Sequence, residues 1–318
     1  MKAILVRSFG GPDVLVSETV ADPRPRAGEV VVRIHAAGVN PVETYIRSGQ
    51  YAAKPNLPYT PGTDGAGIVE AVGEGVSRVR VGDRVYTTGS TSGTYAELAA
   101  CAQEQVWPLP GGIGFSQGAA LSVPYSTAYK ALYIRGQARA GQTVLVHGAT
   151  GGVGLAAVQF ASASGLRVFG TGGSEEGREI VRREGAEMVF DHRTPGYADE
   201  IMAATGGRGV ELIVEMLANV NLDRDLGLLA KFGRIVVVGS RGRIEIDPRG
   251  LMRSEGQILA VLSSTPEERA EAQAAVAAGL RAKTLRPIIS RELPLAEAAA
   301  AHREVMSAKA PGKIVLIP

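Results

Sequence analysis

Hydrophobic residues in the first third of the chain fall into short, β-branched runs that turn residues separate. Residues 2–6, 29–36 and 65–72 alternate or run apolar, and residues 78–85 predict a strand, a Gly–Asp turn and another strand. Short apolar runs bounded by glycine, proline and aspartate are typical of strands in an all-β unit. The pattern therefore predicts a small, barrel-like domain over the first ~120 residues.

Beyond residue 117 the pattern changes to an alternation of strands and helices. Apolar strands are predicted at 144–146, 167–171, 188–191, 210–215 and 235–239. Helices are predicted over 117–135 with an interruption at Pro124, and at 155–163, 175–184, 197–204, 222–229, 267–282 and 295–308. This alternation predicts a parallel, doubly wound sheet and thus an α/β fold. Because the tail is expected to return to the first domain, the predicted domains are residues 1–122 with 266–318, and residues 123–265.

Composition and charge narrow the classes of function. Of 318 residues, 45% are hydrophobic and 21% are charged, as in ordinary globular chains, and the net charge of +2 gives no argument for nucleic acid or a membrane as partner. Cys101 is the only cysteine, which excludes an intramolecular disulfide and a cysteine-based zinc site. No signal peptide or apolar run of transmembrane length is visible, so we expect a cytoplasmic enzyme.

A glycine-rich stretch between a predicted strand and a predicted helix is the first segment that indicates a binding site. Gly148, Gly151 and Gly154 follow the apolar run 144–146, and Ala149 takes the first position of an A-x-G-x-x-G pattern. In dinucleotide-binding proteins this arrangement makes a tight turn, lets the backbone approach phosphate and points N–H groups of the helix start at the pyrophosphate. The stretch therefore predicts a dinucleotide site, and a turn that serves packing alone is the alternative.

Five longer segments make the prediction more specific. They are GVNPVETYIRSG (38–49), PYTPGTDGAGIVEAVG (58–73), VLVHGATGGVGLAAVQ (144–159), EMLANVNL (215–222) and VVVGSRGRIEI (236–246). These segments closely resemble zeta-crystallin-type quinone oxidoreductases of the medium-chain dehydrogenase/reductase superfamily, and the similarity covers essentially the whole chain. The resemblance implies a GroES-like, mainly β catalytic domain, a Rossmann domain that binds NADPH, and reduction of quinones without zinc. It also implies a homodimer or homotetramer, built partly by pairing Rossmann edge strands. Residues 244–246 or their neighbours are the candidate for this edge, and packing within one subunit is the equal alternative.

Zinc alcohol dehydrogenases share this architecture, so a zinc site is the main competing prediction. Those enzymes have a cysteine where this chain has Asn40, and a His–Glu pair where it has Thr63 and Asp64. Zinc prefers three protein ligands of imidazole, thiolate or carboxylate type, which Asn40 and Thr63 cannot supply. We therefore predict no metal. His147, at the end of a predicted strand, is expected to be a hydrogen-bonded core histidine.

The end of the second predicted strand of the α/β domain bears on the choice of cofactor. Proteins that bind NAD usually place an acid there, whereas residues 171–174 contain none, which favours NADPH. Glu175 and Glu176 are expected in the first turn of the next helix, where acids suit the helix dipole. Contact of these acids with the ribose would instead favour NAD.

Further cofactor contacts follow from the resemblance and from the loops at the strand ends. The residues expected to bind the cofactor are Tyr45, Thr127, Thr150, Gly151, Gly152, Val153, Gly173, His192, Asn221, Val238, Gly239, Ser240, Arg241, Val261, Leu262 and Ser263. Residues 150–153 are expected to hold the pyrophosphate through backbone N–H groups. His192 and Arg193 are expected beside the adenosine phosphate, with a solvated loop position as an equal alternative for Arg193. Residues 238–241 and 261–263 are expected at the nicotinamide ribose and carboxamide.

Hydride transfer needs no nucleophile, so the protein has to orient two rings, exclude water and allow protonation of the product. Tyr45 is the main catalytic candidate, and Asn40 is a candidate hydrogen-bond donor to a quinone oxygen. Tyr51 and Tyr59 are candidates for contact with the substrate ring, and packing is the alternative for both. Thr127 is expected at the start of the helix that faces the nicotinamide.

Two other functions stay open at this point. Reduction of enones and related α,β-unsaturated carbonyls uses the same hydride geometry, and only the shape of the pocket separates it from quinone reduction. A structural or RNA-binding role, known among zeta-crystallin relatives, is the non-enzymatic alternative. The sequence contains no basic run or aromatic platform for RNA, so nucleic acid is not an expected partner.

Overall fold

The computed structural model describes residues 1–307 and 311–318 of the chain. The chain forms two compact units, Met1–Val123 with Pro287–Pro318, and Pro124–Arg286. No helix within the described ranges is both long and apolar enough to span a bilayer.

Strands and helices are numbered in chain order. The strands are β1 (Lys2–Leu5), β2 (Val16–Thr19), β3 (Glu29–Gly38), β4 (Asp64–Val72), β5 (Arg84–Thr88), β6 (Leu98–Ala102), β7 (Val106–Pro108), β8 (Thr143–Val146), β9 (Arg167–Thr171), β10 (Met188–Phe190), β11 (Val210–Glu215), β12 (Leu229–Val237), β13 (Gln257–Ala260), β14 (Ile289–Pro294) and β15 (Lys313–Ile317). The α-helices are α1 (Pro41–Arg47), α2 (Phe115–Gly118), α3 (Ser122–Tyr129), α4 (Gly152–Ala163), α5 (Glu175–Arg183), α6 (Tyr197–Ala204), α7 (Ala218–Leu228), α8 (Pro248–Ser254), α9 (Pro266–Arg281) and α10 (Ala298–Ser307). A π-helix, Lys130–Arg135, continues α3. The predicted end of the last helix, residue 308, lies outside the described residues.

The first unit is built on a sheet with the strand order β14-β15-β3-β4-β5-β7, in which β6 also pairs with β3. The long strand β3 is central because it pairs with β4, β6 and β15. Its residues Val30, Val32 and Ile34 are buried in the core of this unit, whereas Arg33 and His35 are exposed. The mainly β domain predicted from the first third of the sequence is confirmed.

The second unit, residues 124–286, is fully described and forms a parallel six-stranded sheet in the order β10-β9-β8-β11-β12-β13. All of β8 is buried, as expected of a strand that helices cover on both faces. The chain runs outward from β8 to β10 and then returns to β11 on the other side. The carboxyl ends of β8 and β11 therefore meet at a topological switch point, where doubly wound sheets bind ligands.

Two local predictions in the first half of the chain differ from the structure. The segment before β5 forms a turn and no strand, because Arg80 N–H donates to Asp83 Oδ2 at 2.9 Å and Asp83 N–H donates back to the Arg80 carbonyl. Pro124 lies in the first turn of α3, where proline costs no intrahelical hydrogen bond. The helical interruption therefore falls before Ser122, between α2 and α3.

Residues 244–246, the candidate for an edge strand between subunits, form no strand within the chain, and Ile246 packs against the core of the second unit. This contact favours the alternative of packing within one subunit, and pairing between subunits stays a prediction. Its flanks are bound to α7, since Arg241 N–H donates to Asn219 Oδ1 and Asp247 N–H donates to Asp223 Oδ1, each at 2.8 Å. The outer strand on this side of the sheet is β13.

Helix α9 belongs to the second unit, so the boundary follows Arg286, whereas the sequence suggested a boundary before residue 266. Polar contacts explain the difference. Glu268 on α9 forms ion pairs with Lys130 at 3.1 Å and Arg135 at 2.6 Å, both on the π-helix. Gln273 also donates to Ser126 Oγ at 2.8 Å.

Candidate functional site

The glycine turn between β8 and α4 has the geometry that the sequence predicts. Gly148 has a left-handed backbone with φ of 55°, which favours glycine. A Cβ on Gly154 would lie 2.4 Å from the Gly148 carbonyl oxygen, so glycine is required for α4 to pack on the turn. At Gly151 a Cβ would meet only that carbonyl, at 3.6 Å, which leaves the backbone open. The first N–H groups of α4 have no intrahelical acceptor, so this turn can bind phosphate.

The loop after β9 contains no acid, and the two glutamates that follow it lie where the sequence predicts. Ser174 is the N-cap of α5 and accepts a hydrogen bond from Gly177 N–H at 3.1 Å. Glu175 is in the first turn and pairs along its own helix with Arg178 at 2.5 Å and Arg182 at 3.1 Å. These contacts direct the Glu175 carboxylate along α5 and satisfy it there.

Gly173 lies beside the residues that follow β10. A Cβ on Gly173 would come within 3.3 Å of the His192 ring and 3.6 Å of Arg193 Nε, so the absence of a side chain lets these two residues approach the Gly173 backbone closely. Arg193 binds Asp191 Oδ1 through its own N–H at 2.9 Å and through Nε at 3.2 Å, and these bonds hold the pKa of Asp191 below its usual value. Burial lowers the pKa of His192, so this imidazole is neutral at physiological pH.

Arg178 is a residue of this region that the sequence did not single out. Its guanidinium donates to the Gly172 carbonyl at 3.1 Å and pairs with Asp191 at 2.8 Å, in addition to Glu175. The only sequence signal was a basic residue in the first half of α5. Arg178 thus fixes the loop between β9 and α5 against the end of β10.

The loops after β11 and β12 lie at the same edge of the sheet as the glycine turn. Asn221 donates to both carboxylate oxygens of Glu215, the last residue of β11, at 3.2 Å. Val238 N–H donates to the Glu215 carbonyl, and the Gly239 carbonyl accepts from Ala218 N–H. A Cβ on Gly239 would lie 2.5 Å from the Met216 carbonyl oxygen, which explains the glycine.

The loop after β13 is anchored by a lysine that the sequence analysis missed. The first residue after β13, Val261, still bonds to β12, because its N–H donates to the Val237 carbonyl at 3.0 Å. The next residue, Leu262, is 82% exposed. The buried ammonium of Lys130 donates to the Ser263 carbonyl and lies 3.1 Å from Glu268. The π-helix that carries Lys130 is an irregularity of a kind frequent at functional sites.

Thr127 is half-buried in the second half of α3, which corrects its predicted place at the start of that helix. The other candidate residues lie in the first unit. Tyr45 is half-buried on α1, and Tyr51 is half-buried shortly after this helix. Tyr59 pairs through its backbone with Val6 and packs against the core of the first unit.

The Tyr59 hydroxyl is buried without a hydrogen-bond partner among the described residues, and burial raises its pKa to about 12. This favours the packing alternative for Tyr59.

Asn40 belongs to a buried polar cluster in the first unit. Its side-chain amide donates to Asp64 Oδ2 at 3.0 Å and faces Glu43 Oε1 at 3.5 Å, and its carbonyl oxygen accepts from the Lys313 ammonium. Lys313 also binds Asp64 Oδ2 at 2.8 Å. Asn40 is 4% exposed, so the polar atoms of its side chain serve this cluster.

Glu43 also belongs to this buried polar cluster and connects it through Tyr95 to His302. It accepts hydrogen bonds from Asn40 N–H and Tyr95 OH, both at 2.8 Å, and from Thr63 N–H at 3.1 Å. Burial raises the pKa of Glu43, and the nearby Lys313 ammonium acts against this shift. His302 Nε2 lies 3.2 Å from Tyr95 OH, and burial lowers the pKa of His302 to about 3.

Asn40, Thr63 and Asp64 are the positions at which the sequence predicts a difference from zinc alcohol dehydrogenases. In the structure they belong to a network of hydrogen bonds, in which the Lys313 ammonium supplies a positive charge. Within the described ranges, the grouping of His, Cys, Asp and Glu close enough to share an ion is His147 with Glu215 and Asp225, in the second unit.

Known families match both units. The alcohol dehydrogenase GroES-like domain matches residues 26–111, and the zinc-binding dehydrogenase family matches residues 152–278. Over its full length the chain is 50% identical to a quinone oxidoreductase of Homo sapiens, 98% of which is covered. It is 36% identical to a quinone oxidoreductase of Pseudomonas aeruginosa, with 100% of this chain and 99% of the relative covered.

The chain belongs to the quinone oxidoreductases of the medium-chain dehydrogenase/reductase superfamily. The structure of an Escherichia coli quinone oxidoreductase complexed with NADPH is 30% identical, covers both chains fully and gives a TM-score of 0.90. An NAD-dependent alcohol dehydrogenase is 28% identical, also with full coverage of both chains, and gives a TM-score of 0.94. The expected GroES-like domain and Rossmann sheet are confirmed.

Proposed function

We propose that this chain is an NADPH-dependent quinone oxidoreductase that works without zinc. The observation that carries the proposal is the cluster of Asn40, Asp64 and Lys313 in a full-length relative of quinone oxidoreductases. An ammonium already balances the Asp64 charge at the position of the metal. A quinone needs no such ion, since its carbonyls are electron-poor and the reduced oxygen is stabilised by resonance.

The second unit, which we assign as the NADPH-binding domain, has an edge that fits a dinucleotide phosphate. The open backbone at Gly151 and the N–H groups of residues 150–153 suit the pyrophosphate. The exposed Arg193 guanidinium beside Gly173 suits a ribose phosphate, and the Glu175 carboxylate that would repel this phosphate is bound to Arg178 and Arg182. These contacts support NADPH over NADH.

Further cofactor contacts are proposed at the loops that follow the central strands. Asn221 would reach the cofactor from the first turn of α7, the helix that follows β11, and residues 238–241 and 261–263 would lie beside its nicotinamide end. Thr127 is a candidate neighbour of the nicotinamide from α3. These assignments rest on the common edge of the parallel strands from which the loops leave.

In the first unit, which we assign as the catalytic domain, the residues act by orientation. Bound NADPH supplies a hydride to the quinone. Tyr45 and Tyr51 are half-buried and available to position the substrate, whereas Asn40 is held by Asp64 and Lys313 and acts as a support for α1. The quinol oxygens can take protons from water, so no buried general acid is required.

Turnover of a small panel of quinones and enones with NADPH and with NADH tests the proposal. We expect quinone reduction with a preference for NADPH, unaffected by a chelator and without a stoichiometric metal in the purified protein. Faster turnover of enones would favour the alternative activity. A requirement for zinc, or failure to bind either nucleotide, would contradict the proposal.

We further propose a homodimer that forms through strand β13. This strand is one of the two edge strands of the sheet, and Ile258 on it and Leu262 after it are exposed apolar residues. Unpaired backbone groups beside apolar side chains favour pairing with a second strand. Light scattering should give the mass of a dimer or tetramer, and Ile258→Lys should shift it toward the monomer. The cytoplasmic location stays a prediction.

A further inference from the structure

A buried cluster of His147, Glu215 and Asp225 lies at the carboxyl edge of the Rossmann sheet, next to the glycine turn. His147 follows β8, Glu215 ends β11 and Asp225 lies on α7, and none of the three is more than 2% exposed. One nitrogen or oxygen from each residue lies within 4.8 Å of the others. Two carboxylates in such an interior are costly unless protons or cations compensate them.

The imidazole of His147 lies between the two carboxylates. Nε2 is 2.9 Å from Asp225 Oδ1 and 3.7 Å from Glu215 Oε2, and Nδ1 is 3.3 Å from Thr171 Oγ1. Asp225 Oδ2 is buried and has no hydrogen-bond partner among the described residues. With a neutral imidazole and both carboxylates ionised, the cluster carries two negative charges. A proton on Glu215 removes one of these charges and supplies the donor that Asp225 Oδ2 lacks.

The cluster is connected to two of the segments that we assign to the cofactor. The Glu215 carboxylate accepts hydrogen bonds from Leu217 N–H and from the side chain of Asn221. On the other side, Thr171 Oγ1, which faces His147, accepts from Gly148 N–H at 3.1 Å. A change in the proton content of the cluster therefore acts directly on Asn221 and on the glycine turn.

We propose that Glu215 and His147 share one proton beside the Asp225 carboxylate, and that Glu215 is a positioning residue whose protonation is linked to NADPH binding. The inference rests on the proposed NADPH site. Phosphates at the glycine turn add negative charge next to the cluster and favour its protonated form. By reciprocity, the protonated cluster binds the nucleotide more tightly, so binding takes up a proton.

Charged and titratable groups on the neighbouring elements face the cluster. Arg224 on α7 and His192 after β10 lie close enough to interact with the His147 ring, and Arg224 also donates to Tyr197 OH on α6 at 2.6 Å. Burial, opposed by His147 and assisted by Asp225, raises the pKa of Glu215 to about 7. The proton is therefore exchanged in the physiological range.

The burial of His147 by itself would lower its pKa, but the carboxylates of Asp225 and Glu215 outweigh this effect and raise it. Both partners therefore hold the shared proton more strongly than they would in water. They lose it together as the pH rises, which is the direction that the proposal requires.

Calorimetric titration of the full-length protein with NADPH tests the proposal. Measurement between pH 7 and 9 avoids the titration of the cofactor's own phosphate, whose second pKa is about 6. Two buffers of different ionisation enthalpy give the number of protons taken up. We expect uptake of up to about one proton, and a dissociation constant that rises up to about tenfold per pH unit.

Glu215→Gln mimics the protonated acid, because its amide can donate to Asp225 Oδ2. This variant should bind NADPH with no proton uptake and with an affinity that does not change between pH 7 and 9. Glu200→Gln, an exposed residue on α6, is the matched control and should keep the wild-type slope. Unchanged proton uptake in Glu215→Gln would overturn the inference and leave the proposed function intact.

Two other outcomes are distinguishable from that result. Absence of NADPH binding by the wild-type protein at every pH would overturn the proposed function, and with it this linkage. One equivalent of a divalent metal in the purified protein, lost in Glu215→Gln, would also overturn the inference, because the ion and not a proton would then balance the carboxylates.

Discussion

Lys313 Nζ lies 2.8 Å from Asp64 Oδ2, and both side chains are buried in the first unit. Asp64 also accepts from Asn40 and from the backbone N–H of Val123, so its two oxygens are fully bonded. A charge pair in such an interior is tolerated only with this degree of hydrogen bonding. In this chain a side-chain cation thus stabilises a buried acidic residue next to Asn40.

Lys313→Met should destabilise the protein by about 3–5 kcal/mol, because it leaves the Asp64 carboxylate buried and uncompensated. Urea unfolding measures the loss. Adding Asp64→Asn should recover part of it, since the second change removes the unpaired charge. Lys231→Met is the matched control, because this lysine pairs with Glu255 on the surface and should cost less than about 1 kcal/mol. Equal losses for the two lysine variants would contradict the assignment.

His302 predicts a loss of stability in acid. Its pKa is about 3 in the folded protein, because of burial, and about 6.5 in the unfolded chain. The unfolded state therefore takes up a proton as the pH falls below 6.5, while the folded state does not. This difference costs about 2 kcal/mol at pH 5, and the cost grows until the pH approaches 3.

His302→Gln should remove this share of the pH dependence while keeping a polar partner for Tyr95. The free energy of unfolding, measured in urea at intervals from pH 7 to 5, checks the prediction. His35→Gln, with an exposed side chain, is the matched control. The prediction is wrong if both variants follow the wild-type curve.

The glycine turn predicts different results for two alanine substitutions. Gly154→Ala should destabilise the protein by about 1–3 kcal/mol or more, because the new Cβ meets the Gly148 carbonyl at 2.4 Å. Gly151→Ala should cost less than about 1 kcal/mol, since its φ of −78° suits alanine. It should instead weaken NADPH binding about tenfold, because the new Cβ would keep the pyrophosphate from approaching the backbone N–H groups. This loss is the equivalent of one charged hydrogen bond.

Thermal unfolding with and without NADPH separates these effects. Gly154→Ala should lower the midpoint in both conditions, whereas Gly151→Ala should lower only the shift that NADPH produces. Equal affinity of Gly151→Ala and the wild type for NADPH would contradict the assignment of the turn to the pyrophosphate.

Local sequence signals predicted the elements whose causes are local. The glycines at 148, 151 and 154 carry their own backbone requirements, and Ser174 with two following acids is sufficient to start α5. The apolar run 144–146 predicted a buried strand, because no polar residue interrupts it. The carboxyl edge of the sheet, and hence the place of the site, followed from the order of these elements.

The features that the sequence did not predict depend on contacts between residues that are far apart in the chain. Lys313 and Asp64 are 249 residues apart, and no pattern connects them. In the sequence nothing distinguishes Lys130 from the other basic residues. Its partner Glu268 lies on α9 and comes close to it only in the folded chain. Residues 244–246 alternate as a strand does, but within the chain they form no strand, and their neighbours are bound to Asn219 and Asp223 on α7. Local alternation cannot distinguish such a segment from a paired strand.

Arg193 should decide between the two nicotinamide cofactors. Its side chain is 64% exposed and is held near Gly173 by Asp191, so a 2′-phosphate can reach it. Arg193→Gln should raise KM for NADPH about tenfold, the equivalent of about 1.5 kcal/mol for one charged hydrogen bond, and leave KM for NADH unchanged. Arg249→Gln is the matched control, because this exposed arginine also pairs with an aspartate two residues before it, Asp247, and lies outside the proposed cofactor site. A parallel loss with both cofactors would mean that Arg193 supports the loop and does not bind the phosphate.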